Sequence, residues 1–363
     1  MADLASARDT VSDPLEAIEY CFQQGWTDGL PVVPPTPERV AALLDALGLP
    51  PETVVGALPE LGLAITAEKL AVNAVLAGCR PEYLPLLAAA VRAVTAPAFG
   101  LSAALGRGGG GAPLLIVSGP PRQALGLNAR AGLFGPGARA NATIGRALNL
   151  LLHNLCSARP APLAPAFGHP GGFTYCIAED EEGTRWAPLH VERGLPADTG
   201  AVTAVLAGAP QLVRTASVAS PEAVLLPIAD ALAATAHWES AHVVVIGPQH
   251  RAVLERAGWS KADVRAFLAE HARRSLAALK QAGLRAGPVQ PGDAHRFPAL
   301  LHETDLVVVA AGGPDSADSV VVPPGLAGRT SQPVLCPLAA PAAVIPSAPA
   351  PSPSAPPPVA AEG

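Results

Sequence analysis

One order of elements is written twice along this chain, and it limits the fold more than any other feature. Residues 80–95, RPEYLPLLAAAVRAVT, resemble residues 220–235, SPEAVLLPIADALAAT. Each reads as an Ala-rich helix. Each is followed by a short apolar strand ending in Gly-Pro, within LLIVSGPPRQAL (114–125) and VVVIGPQHRAVL (243–254). A helix comes next, at 141–156 and at 261–279, and then another strand, at 173–179 and 306–313. Helix, strand, Gly-Pro, helix, strand thus recurs in one order, which we read as an internal duplication. Ala-rich helices resemble one another by composition alone; the paired Gly-Pro favours duplication over that reading. The pattern predicts an α/β fold of two similar halves, with a mostly parallel sheet covered by helices. The first half is expected over residues 14–195 and the second over 196–330. Further helices are expected at 14–24, at 37–47 behind Thr36-Pro37, and at 66–78 behind a Thr66 cap. Residues 337–363 are Pro-, Ala- and Ser-rich without periodicity and are expected to be a disordered tail, with a PxxP ligand as the alternative.

Composition narrows the function classes. Half of the 363 residues are hydrophobic and only 4% aromatic, so the core must be built of Ala, Val and Leu. The net charge is −6 and no basic run occurs, which argues against a nucleic-acid partner. No apolar run reaches membrane-spanning length, so no membrane partner is expected. Residues 1–13 lack a basic start followed by an apolar block, so no secretory signal is read there. The five cysteines, Cys21, Cys79, Cys156, Cys176 and Cys336, are odd in number and widely spaced. They form neither a disulfide framework nor a zinc ribbon, and a cytoplasmic location is expected.

Four segments could carry chemistry. In LFGPGARANATIGRALNLLLHNLC (133–156), Gly135, Gly137 and Ala140 fit G-x-G-x-x-A before a helix. Free backbone N–H groups there would face an anion, with Arg139 and Arg146 adding charge and Asn141 or Thr143 capping or binding. No strand precedes the glycines and no acidic residue follows at ribose distance, so a dinucleotide is not indicated. A plain helix start competes evenly with the anion pocket. GRGGGG (106–111) also matches the glycine pattern but precedes a strand, and is read as a decoy or loop.

In GHPGGFTYCIAEDEEGTRW (168–186), His169 precedes a turn, Cys176 lies on a strand, and Glu179 to Glu182 cluster at its end. Cys176 could be a nucleophile or redox thiol with His169 as its base. His169, Cys176 and Glu179, with His153 or Cys156, could instead hold a divalent metal. The competing reading of Cys176 is a small buried hydrophobe. In NAVLAGCRPEY (73–83), Cys79 beside Arg80 at a helix start could be a low-pKa thiol, or could pack between helices. Lys69 and Asn73 share the face of the preceding helix. In GWTDGLPVVPPT (25–36), Asp28 is an acid/base candidate competing with a turn-stabilising role.

Taken jointly, WTDGLPVVPPT, AVNAVLAGCRPEYLP, LIVSGP, FGPGARANATIGRALNLLL, GHPGGFTYCIAEDEE, PLHVERG and GWSKADVRAFLAEHAR resemble a bacterial family. Its members are modules fused to, or encoded beside, UGSC-type selenoprotein domains. The resemblance spans about residues 15–325. It implies that Asp28, Lys69, Asn73, Cys79, Arg80, Asn141, Thr143, His169, Cys176 and Glu179 stand at motif positions. It also implies thiol or selenol redox chemistry, or carbon–sulfur chemistry. The chain has no U-G-S-C or C-G-S-C segment of its own, so a selenol step would need a separate redox or selenoprotein partner.

Three functions follow as expectations. The first is a thiol-dependent oxidoreductase or lyase acting on a small anionic substrate. The second is a metal-dependent lyase or hydrolase. The third is a non-catalytic partner subunit of a redox protein. No cofactor is specified beyond the divalent-metal alternative, and a homo-oligomer is left open.

Overall fold

Proline and glycine punctuation delimits the first elements. Helix α1 (Pro14–Gln23) starts at Asp13, whose carboxylate accepts from the N–H groups of Leu15 and Glu16. Helix α2 (Pro37–Leu47) carries Pro37 at its first position, and Gly48 in the left-handed region ends it. A hairpin of β1 (Val54–Leu58) and β2 (Leu63–Thr66) leads into α3 (Ala67–Ala77). The Thr66 hydroxyl caps α3 by accepting from Lys69 N–H at 3.2 Å. Helices α4 (Leu84–Thr95) and α5 (Leu101–Arg107) follow. The structure is a computed structural model and describes residues 4–107, 111–156, 168–216, 218–234, 241–300, 302–314, 317–325 and 331–338.

The middle of the chain alternates strand and helix. It runs β3 (Ala112–Ser118), α6 (Pro121–Ala124), α7 (Arg139–Cys156), β4 (Cys176–Ala178), α8 (Leu189–Glu192) and β5 (Ala201–Ala207). After β6 (Gln211–Arg214) come α9 (Pro221–Ala234), β7 (His242–Ile246), α10 (Pro248–Arg256) and α11 (Lys261–His271). The expected helix at 261–279 is broken by β8 (Arg273–Ser275), and α12 (Leu276–Gln281) resumes after it. β8 pairs with β9 (Arg296–Pro298). The last elements are β10 (Leu306–Ala310), β11 (Asp318–Val322) and β12 (Val334–Pro337). Among the described residues this makes a mixed α/β fold of twelve α-helices and four sheets.

Two four-stranded sheets form the centre, in orders β12-β5-β3-β4 and β10-β7-β11-β6. Each contains one parallel pair, β3 with β4 and β7 with β10. The remaining pairs in both sheets are antiparallel, which corrects the expectation of a mostly parallel sheet. The physical reason is burial. Leu115 and Val117 of β3 face the helical layer, whereas Leu114 and Ile116 face the other sheet. Val244 and Ile246 of β7 face α9 and α11, whereas Val243 and Val245 meet the first sheet. Strands buried on both faces read as unbroken apolar runs whatever their direction. The layers are therefore helices, sheet, sheet, helices.

The chain crosses between the sheets twice. β5 lies in the first sheet and β6 in the second, so the boundary expected at residue 195 falls one strand early. β12 returns to pair with β5. Residues 337 and 338 are thus in or beside a strand, with Leu338 N–H donating to Gly200. The rest of the expected tail lies outside the described residues.

Both Gly-Pro turns have the same cause. Gly119 has φ 82°, and a Cβ on it would come within 2.5 Å of the Thr199 carbonyl, just before β5. A Cβ on Gly247 would collide with the Asp318 carbonyl, at the start of β11. Each glycine lets the antiparallel neighbour pass over the strand end.

Candidate functional site

Helix α7 brings most of the singled-out residues together. It lies on α3 and alternates buried Ala140, Ile144, Ala147, Leu148 and Leu151 with a polar outward stripe. That stripe is Arg146, Asn149 and His153, at helical spacing of three and four. Two loops flank it. On one side Asp28 pairs with Arg146 in a fork, Oδ2 to Nε and Oδ1 to Nη2, both at 2.7 Å. Arg146 Nη2 also donates to the carbonyls of Leu30 (3.2 Å) and Pro31 (3.0 Å). His153 Nε2 meets the Gly25 carbonyl at 3.1 Å. On the other side Asn149 Nδ2 donates to Gly171 O at 2.8 Å, and the Thr174 hydroxyl to Asn141 O at 3.0 Å. Gly145 permits this approach, since a Cβ there would meet Thr174 Oγ1 and Tyr175 N.

Burial raises the Asp28 carboxyl, but the Arg146 guanidinium and the Leu30 N–H outweigh it and leave its pKa below the ordinary value. Asp28 is therefore a fixed anion that orients Arg146. No bond to Arg146 Nη1 is found among the described residues.

Polar residues beneath the stripe hold its frame. Asn141 Oδ1 accepts from Asn128 N–H (2.7 Å), while its Nδ2 donates to the carbonyls of Asn128 (3.0 Å) and Cys176 (3.1 Å). Asn73 donates to Lys69 O at 2.9 Å and accepts from Asn154 Nδ2 at 2.7 Å. The Lys69 ammonium is exposed and reaches Ala64 O at 3.4 Å. Thr143 bonds back to Arg139 O.

The glycine-rich helix start is arranged differently from the expected cradle. Gly135 N–H closes a turn to Gly132 O, and Gly137 has φ 119° with open space around it. Arg139 turns away from the helix start. Its Nε and Nη2 donate to Gly78 O at 3.2 and 2.8 Å, satisfying the end of α3. Of the two arginines, only Arg146 stays on the outward stripe.

The thiols differ most from expectation. Gly78, at φ 83°, ends α3 and turns Cys79 inward, where its Sγ donates to Thr143 O at 3.3 Å. Burial pushes the Cys79 thiol up to about 12, against the smaller opposing effects of the Thr143 bond and Arg139. Arg80 is exposed and does not lower it. Burial pushes Cys176 up to about 12 as well, and Cys79 adds to the effect. Of the two readings of each thiol, reactive or packed, the structure has the packed one: Cys79 and Cys176 are both buried.

His169 is half-buried over the Tyr175 ring, with Nδ1 accepting from Gly171 N–H at 2.9 Å. Burial lowers its pKa against the opposing Gly208 carbonyl, so the ring is neutral near pH 7.

Glu179 lies away from this face. It is fully buried, with Oε1 at 2.6 Å from Lys261 Nζ and Oε2 accepting from Leu189 N–H at 2.6 Å. Lys261 also meets Ala187 O (2.8 Å) and Glu192 (3.2 Å). Asp180 pairs with Arg130 and Arg251, and Glu181 and Glu182 pair with Arg122. The acidic cluster thus clamps the first sheet to elements of the second half. The alternative metal set of His169, Cys176 and Glu179 does not converge. Among the described residues no three His, Cys, Asp or Glu residues are grouped to hold a metal. Cys156 ends α7, and its side chain lies outside what is described.

Sequence reasoning missed Asn149 and the pairing of Asp28 with Arg146. The i, i+3, i+7 spacing of Arg146, Asn149 and His153 was the available signal for the first. The second joins residues 118 apart and had no local signal.

Fold and site together define a mixed α/β protein with a polar helix face framed by two loops. No family model matches the chain, and neither a curated protein nor a solved structure matches it. Among the described residues no helix is long and apolar enough to cross a membrane.

Proposed function

We propose that this chain is an enzyme that binds a small anionic substrate on the outward face of α7, with Arg146 as the anion-binding group. One observation carries the reading. Asp28 and two carbonyls fix Arg146 through Nε and Nη2, while Nη1 has no partner among the described residues. A guanidinium held through Nε and Nη2 is preorganised to donate from Nη1 to a carboxylate or phosphate. Asn149 supplies a neighbouring amide, and His153, two turns along the stripe, is the group that moves a proton. Cys79 and Cys176 have no part in the reaction as thiolates, because burial pushes both thiols up. The thiol or selenol step implied by the resemblance to UGSC-associated modules is assigned to a separate partner.

We further infer that the two halves arose by duplication. The reading is supported by the matching orders β4-β3-β5 and β10-β7-β11, the second extended by β6 and the first by β12.

The test is thermal melting with acetate, oxalate and phosphate at constant ionic strength. Stabilisation is expected in the wild type and lost in Arg146→Lys, which keeps the charge without the fork. Asp28→Asn removes the carboxylate that orients Arg146 and is expected to bind anions more weakly. Equal stabilisation of wild type and Arg146→Lys would contradict the assignment. For the enzyme claim, a pool of anionic metabolites is incubated with protein and followed by mass spectrometry. Depletion by wild type and not by His153→Gln supports catalysis; binding without turnover of any compound defeats it.

A further inference from the structure

We propose that the anion held by Arg146 is amphiphilic, and that its apolar tail lies in the concavity between α1 and Pro31. The inference rests on the assignment of Arg146 above and names the substrate class of that site. The concavity has a volume of about 620 Å³, within the usual range for small-molecule sites. Its walls are mainly apolar and include Val11, Leu15, Ile18, Tyr20 and Pro31. Leu15 is 74% exposed and Leu30, beside Pro31, 44%. Several apolar side chains line this one concavity, which gives a ligand tail a wall to lie against.

Pro31 joins the two features. Its carbonyl accepts from Arg146 Nη2 at 3.0 Å, while the same residue lines the concavity. A ligand with its head on Arg146 therefore has an apolar wall one residue away. Charge sets the direction. The concavity is also lined by Glu16 and Glu19, which would repel an anionic head, and Arg146 would attract it. Head at Arg146 and tail toward α1 is the arrangement that satisfies both. A short dianion would leave the concavity unused, and a neutral apolar molecule would leave Arg146 unused.

The test is calorimetric titration of the full chain with acetate, butyrate, hexanoate and octanoate, and with octanamide. Affinity is expected to rise about two- to four-fold per added methylene, as partial to full burial of each group gives. Octanamide is expected to bind at least ten-fold more weakly than octanoate. In Leu15→Glu, an exposed position whose folding is checked by melting, the gain with chain length should collapse. Equal affinity from acetate to octanoate would overturn the inference and leave the Arg146 assignment standing. Unchanged chain-length dependence in Leu15→Glu would overturn the location of the tail. Octanamide binding as well as octanoate would overturn the placing of the head. No binding of any carboxylate would overturn this inference and the Arg146 assignment together.

Discussion

Two side chains show how environment overrides residue type. Cys79 beside Arg80 has the local sequence of a reactive thiol, yet Gly78 turns it inward and burial takes it to about 12. At pH 7 the Cys79 thiol keeps its proton. Native protein treated with iodoacetamide at pH 7 should therefore leave Cys21, Cys79 and Cys176 unlabelled. Cys336, half-exposed on β12, should react first of these four. Rapid labelling of Cys79 in folded protein, read by peptide mass spectrometry, would show that the site opens. Lys261 is the converse case. A lysine in the first turn of a helix reads as solvated, yet it is 2% exposed between Glu179 and Glu192. Lys261→Ala leaves a buried carboxylate unpaired and should cost about 3–5 kcal/mol in denaturant unfolding. A loss under 1 kcal/mol would mean that water reaches Glu179. Neither burial was legible in the sequence, because the residues that cover these side chains come from distant segments.

At the scale of elements, periodicity and capping carried far. α2 matches its expected bounds, and α1, α3, β3, β7 and β10 begin or end within a few residues of theirs. Strand direction did not carry, since β5 and β11 are apolar on both faces and such strands lack the alternation that marks an antiparallel sheet. The site was legible in part. Arg146, Asn141 and Thr143 were placed on one helix, whereas the partner loop with Asp28 is contributed from 118 residues away. Glu179 was joined to Cys176 by nearness along the chain, although its carboxylate belongs to the clamp between halves. Helix α7 offers a test of packing against propensity. Gly145→Ala in an isolated helix would gain about 1 kcal/mol. Here the methyl would press on Thr174 and Tyr175, so the variant should melt at lower temperature than wild type. A higher melting temperature would show that the 174–176 segment can move off the helix.

For the whole molecule, the return of β12 to the first sheet ties the halves together. β6 completes the second sheet and β12 the first, so residues 14–207 expressed alone lack the outer strand against β5. Such a fragment should fail to melt cooperatively, and a cooperative transition at the intact protein's temperature would contradict the interdependence. Stability should also depend on pH. His250 is buried between the hydroxyls of Thr215 and Ser319, and burial lowers its pKa, as it does that of His169. A histidine whose folded pKa is lowered favours folding above its unfolded value of about 6.5. That contribution is lost as pH falls from there toward the folded value, because the unfolded chain then binds more protons. Melting temperature should thus drop as pH falls below about 6.5, and less steeply in His250→Gln.

The central claim is that Arg146, oriented by Asp28, receives an anion on the face of α7. A crystal of the protein soaked in 4-iodobenzoate tests it most directly, because anomalous scattering locates the iodine independently of the fit to the carboxylate. The account requires the carboxylate within hydrogen-bond distance of Arg146 Nη1 and the iodine beside Pro31 and Leu15. A ligand bound elsewhere on the molecule, with Arg146 still turned only toward Asp28, would contradict it.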